Sequence, residues 1–150
     1  QEIPVLTDEE VYRSASIREI EGLLEALATA VSSADLETLR GLVEDDVTWI
    51  FSGDARPVRG ADRALETWAR HLAKWQNVSI RRRDTSVRIR GDLAWGCFVW
   101  DGEGSAAGQR YLLEGERWSV TMAREGGEWL FAQVHSSMPY RNWEDHKIGV

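Results

Sequence analysis

One cysteine, Cys97, stands in the whole sequence, so no disulfide can form within the chain. Disulfide-stapled small secreted domains are thereby excluded, and a reducing, cytoplasmic setting is expected. The chain starts at Gln1 and shows no signal-peptide pattern, which leaves a periplasmic or secreted setting with a removed leader open. No apolar run reaches the ~20 residues a membrane-spanning helix needs, so no membrane partner is expected. The three histidines, His71, His135 and His146, fall in a helix-like, a strand-like and a tail segment. They make no metal-ligand spacing, and neither a metal nor another cofactor is expected. Basic residues are outnumbered, 18 Lys and Arg against 25 Asp and Glu, for a net charge of -7. A nucleic-acid partner wants the opposite balance and is not expected. The one basic run, Arg81-Arg82-Arg83, lies in a strand pattern that sends its side chains to both faces, as in a solvated or interface strand.

What the sequence has in plenty is tryptophan: eight in 150 residues. Large aromatics bury much area each, so a substantial core with an aromatic-lined cavity is expected within one domain. No repeat, linker or low-complexity segment divides residues 1–150. Cys97, in "LAWGCFVW" without any thiolate-stabilising neighbour, reads as a buried small apolar residue.

After a loose arm, Thr7 and Glu10 make a capping box for a helix reaching Ser32, with Ile17, Ile20, Leu24, Leu27 and Val31 on one face. Asp35 caps a second helix. "EDDVTWIFSGD" switches to period two, with Val47, Trp49 and Phe51 on one side. "ARPVRG" reads as a loop. "ADRALETWARHLAKW" reads as an amphipathic helix carrying Leu65, Trp68, Leu72 and Trp75, with His71 beside the stripe as a surface or satisfied histidine. Strand patterns follow near 78–90, 93–102, 110–124 and 128–138, separated by hairpin-length turns, and a polar tail ends the chain. Helices followed by a run of strands predict an α+β domain: a long antiparallel sheet curved around three helices, with an opening between them suited to a small-molecule ligand.

Three stretches in this order carry a family likeness: "ADLETLRGLVEDDVTWIF", "RGADRALETW" and "RWSVTMAREGGEWLFAQVHSS". Over about residues 17–139 the chain resembles the SnoaL-like group of the nuclear transport factor two-like superfamily. The resemblance implies a cone-shaped sheet filled by helices and a homodimer packed through the outer sheet face. It also implies a choice of trades, among them isomerase, cyclase, dehydratase, metal-free carbonic anhydrase and non-catalytic hub, because this fold hosts many functions.

Set against those trades, the family's first-strand base position falls at Phe51, which cannot take a proton, and the donor position opposite falls near Ser119. Isomerase chemistry of the carboxylate type is therefore unsupported. Asp54, three residues on, sits in a turn and could reach a pocket mouth. Arg117 has no aspartate pair to form the arrangement of the epoxide hydrolases of this fold. Glu114 and Glu116 are assigned together to one face, an outer or interface one. On the last strand, simple alternation puts Trp129, Phe131, Gln133, His135 and Ser137 on one face, and the His-x-Ser ending resembles the family's cavity-facing motif. His135 then serves as pocket wall, as ligand-orienting group or as general acid or base. Trp49, Phe51, Trp68, Arg117, Ser119, Gln133 and Ser137 complete the expected pocket. The leading reading is a protein that binds a small, largely apolar molecule, with metal-free acid–base catalysis by His135. A non-catalytic binding or oligomerisation module is the alternative, and a metal-free carbonic anhydrase the minor one.

Overall fold

In the computed structural model, which describes residues 5–139, the first helix starts at its sequence signal. Thr7 accepts the Glu10 N–H at 3.2 Å, and Glu10 accepts the Thr7 N–H at 2.7 Å. This capping box launches α1, Asp8–Ser32. Ile20, Leu24, Leu27 and Val31 are buried along it, while Ile17 stays 47% exposed and Ser16 takes the buried position beside it. Asp35 accepts the Thr38 N–H and opens the short α2, Leu36–Arg40.

Strand β1, Val43–Ile50, is followed by β2, Val58–Arg59, a two-residue strand inside the segment read as a loop. Then come α3, Ala61–Leu72, and four long strands: β3, Gln76–Arg90; β4, Leu93–Ala106; β5, Gln109–Glu125; and β6, Glu128–Ser137. They form one sheet in the order β2-β1-β6-β5-β4-β3. The sheet is curved and unclosed around the helices, the cone-shaped α+β architecture the sequence predicts. It is mixed rather than wholly antiparallel, because β1 lies parallel to β6. That pairing is reached through the intervening hairpins, so the two strands that meet are the first and last long ones.

The inner face of the sheet closes over α1 and α3 with a continuous apolar core. Val47 and Trp49 of β1 and Phe51 just beyond its end face it, as alternation requires, together with Phe98 and Trp100 of β4 and Trp118, Val120 and Met122 of β5. One side chain departs from expectation. Cys97 is exposed on the outer face, because its neighbours Phe98 and Trp100 hold the inward parity of β4. The basic run alternates as expected: Arg81 and Arg83 are exposed, and Arg82 turns inward with its guanidinium 2.8 Å from the Glu21 carboxylate of α1.

The β4–β5 hairpin extends well past the core, and Asp101 anchors its root. Its carboxylate accepts Arg83 Nε of β3 at 2.5 Å and the backbone N–H of Gly115 at 2.9 Å. Gly115 has φ +74°, in the left-handed region that favours glycine, where β5 is irregular against β4. The Arg83 and Gly115 donors hold the Asp101 carboxyl down to about 2 from an ordinary 3.8. The N-terminal arm before Val5, the polar tail and His146 lie outside the described residues.

Candidate functional site

Between the helices and the inner sheet face lies a cavity of about 500 Å³. The volume suits a small organic molecule. Its floor is aromatic. Trp118 packs against Trp100 with ring centroids 4.2 Å apart, and lies parallel to Phe98 at 5.8 Å and Trp68 at 6.4 Å. Trp68 of α3 meets Phe51 edge-on at 5.4 Å. Strand β5 forms one wall. Along it from Trp118 to Tyr111, about 20 Å at strand spacing, exposure rises from 2% at Trp118 to 70% at Leu112 and 49% at Tyr111. The mouth is therefore an apolar rim, to which Met138 adds another exposed side chain.

The ionisable groups that line this cavity are His71, Lys74, Glu103, Tyr111 and Glu116. Glu103 is taken by Arg110. Lys74 is exposed, with its ammonium 5.5 Å from the centroid of the Trp75 ring. His71, at the end of α3, sets its ring edge-on to Phe51 at 5.3 Å. Glu116 is different in kind. It shares the inward parity of Trp118, Val120 and Met122, so β5 carries a carboxyl into the aromatic interior. The Trp118 indole Nε1 donates to its Oε1 at 2.8 Å. Among the described residues no cation forms an ion pair with it. Burial pushes the Glu116 carboxyl above its ordinary value, and the Trp118 hydrogen bond offsets this only in part. A buried, oriented carboxyl with one oxygen held by an indole can give or take a proton at its other oxygen. Ser136 also lines the cavity, where its hydroxyl accepts the Ser52 N–H at 3.1 Å and ties the end of β1 to β6.

The sequence profile of the SnoaL-like domain family matches residues 20–141. The chain belongs to that family. Solved structures of the same fold include an NTF2-like protein of unknown function from Pseudomonas putida, with 22% identity, a TM-score of 0.77, and 91% of this chain and 94% of that one covered. A type 2 hexachlorocyclohexane dehydrochlorinase, LinA, matches at 20% identity and TM-score 0.77 over 85% of this chain and 88% of that one. A putative scytalone dehydratase from Novosphingobium aromaticivorans matches at 14% and 0.77 over 85% and 87%. At such identities the likeness is one of fold. A search of curated proteins finds no significant match.

This SnoaL-like chain divides its expected site residues between two faces. Phe51 and Trp68 line the cavity, and Trp49 lies fully buried behind them, stacked on Phe51 at 5.3 Å. Arg117, Ser119, Gln133, His135 and Ser137 do not join them. Ser119 pairs with both Cys97 and His135 in a row across the outer face, and all three are exposed. Arg117 and Ser137 are neighbours on that face too, with the guanidinium donating to the Ser137 hydroxyl at 3.1 Å. Arg117 and Ser119 face out because Trp118, Val120 and Met122 hold the inward parity of β5, and for Gln133, His135 and Ser137 the cause is a bulge in β6. Met122 pairs with Phe131 while Thr121 pairs with Gln133, so Ala132 is an extra residue. Phe131 and Val134 both face inward, three apart, and beyond the bulge Ser136 is buried where Ser137 was expected. Asp54 is exposed in the turn after β1, where its N–H bonds the Phe51 carbonyl at 3.1 Å, and does not line the cavity. The sequence reading put Glu116 with Glu114 on an outer or interface face and took His71 as a surface or satisfied histidine. The signal for Glu116 was its even spacing with Trp118, Val120 and Met122.

Proposed function

We propose that this protein binds a small, largely apolar molecule in the cone cavity and that Glu116 is its acid–base group, in the place the sequence reading gave to His135. The observation that carries the reading is the Glu116 carboxyl set in an aromatic-lined cavity, oriented by the Trp118 indole and raised above its ordinary value by burial. His71, at the same cavity, is the second group able to move a proton. The chemistry that suits such a pair is a proton transfer of the isomerase, cyclase or dehydratase kind. The names borne by LinA and the scytalone dehydratase relative support enzymatic use of this fold. Filling the cavity with Leu113→Trp should abolish binding of a flat aromatic probe such as naphthalene, followed by tryptophan fluorescence. Unchanged binding would place the ligand elsewhere.

The non-catalytic module remains the second reading, favoured by the aromatic Phe51 at the first-strand base position. It predicts that Glu116→Gln leaves every function of the protein intact. The outer face supports the expected homodimer: Trp95 is 38% exposed there, near Cys97, Ser119 and His135. In this reading His135, Arg117, Gln133 and Ser137 are contact residues, and Trp95→Glu shifts the protein to monomer in sedimentation. No helix among the described residues is long and apolar enough to cross a membrane. The free thiol of Cys97 suits a reducing cytoplasm.

A further inference from the structure

The charge pattern of the cavity narrows the class of ligand, and this step rests on the cavity-binding reading above. Phe51, Trp68, Trp75, Trp100, Tyr111 and Trp118 line the cavity, and aromatic ring faces carry the negative end of the ring quadrupole. Set into those walls is the Glu116 carboxyl, whose Oε1 accepts the Trp118 indole N–H and which has no cationic partner among the described residues. The other charged or titratable groups at the cavity are Glu103 on β4, Tyr111 on β5, and His71 and Lys74 at the end of α3. Glu103 is engaged by Arg110 at the hairpin, and Lys74 is exposed with its ammonium over the Trp75 ring. An anionic ligand would bring its charge toward Glu116. A wholly apolar one would strip water from the carboxyl and return nothing, which is costly for a buried ionised group. A cation attached to an apolar body answers both features at once, by ion pairing with the carboxylate and by cation–π contact with the rings.

We propose that the cavity recognises an organic cation, an amine or quaternary ammonium carried on an apolar frame, with its positive centre at Glu116. The apolar frame extends along β5 toward the rim at Leu112 and Tyr111.

A matched pair of probes tests this: phenyltrimethylammonium and its neutral isostere tert-butylbenzene, titrated into the full chain by tryptophan fluorescence and calorimetry. The charge of the first probe does not depend on pH. At about pH 8 the cation is expected to bind about tenfold or more tightly than the isostere. The preference should vanish in Glu116→Gln and in the wild type at about pH 4, where the carboxyl is protonated. It should persist in Glu114→Gln, whose carboxyl is exposed and outside the cavity. The wild-type pH comparison stands even if Glu116→Gln folds poorly. Equal or tighter binding of tert-butylbenzene at about pH 8 would overturn the cation inference and leave the cavity reading in place. A preference that survives in a folded Glu116→Gln would also overturn it. Failure of both probes to bind would overturn the cavity reading and the inference with it.

Discussion

At Glu116 two effects oppose each other. Burial disfavours the carboxylate, and the Trp118 indole N–H favours it; burial is the larger. Trp118→Phe keeps an aromatic ring in the floor but removes the donor. The Glu116 pKa should therefore rise further, which a ¹³C titration of the glutamate side chains would follow. A fall, or no change, would mean that the indole does not hold the carboxyl in solution. The substitution also frees the carboxyl to rotate, so activity or ligand affinity at the site should drop while the fold persists.

At the level of elements, the bulge at Ala132 decides what the last strand presents. Phe131 is fully buried ahead of it and His135 exposed beyond it. Phe131→Ala should cost about 3–5 kcal/mol of stability in denaturant unfolding, as expected for an aromatic removed from a packed core. His135→Ala should stay within about 0.5 kcal/mol, like other surface changes. A large loss at His135 would return it to the interior. The contrast also shows what was legible beforehand. Helix caps follow from local chemistry, so Thr7 and Asp35 could be read directly, and the four long strands could be placed, though β4 runs on to Ala106 through the Gly-rich stretch where the pattern put its end at 102. Face assignment depends on an unbroken period of two, and one inserted residue reverses it. The clue was present: Trp129, Phe131 and Val134 are all apolar but spaced two and then three, so no single alternation fits them. Glu116 was misassigned for another reason. Gly115 interrupts β5 between Glu114 and Glu116, and only the parity of residues 116 to 122 is the one that meets the core.

Over the whole molecule, pH should act at two ends. The Asp101 pKa is lowered in the folded state, so its stabilisation is present above 3.8 and lost as pH falls toward about 2. The wild-type advantage in Tm over Asp101→Asn should shrink across that window. Glu116 has the opposite sign. Its folded pKa is raised, so its contribution is full below the ordinary 4.5 and is lost as pH rises through the raised value. Without ligand, the wild type should therefore lose Tm relative to Glu116→Gln as pH climbs above 4.5. A constant gap between the two proteins would mean that Glu116 is not perturbed. The central claim is that the site lies inside the cone and not on the outer face that carries His135. The most direct measurement is NMR mapping of phenyltrimethylammonium binding. The indole signals of Trp68, Trp100 and Trp118 should shift together with the Glu116 carboxyl, while the His135 ring stays unmoved. Shifts gathered on His135, Ser119 and Arg117, with the indoles silent, would contradict it.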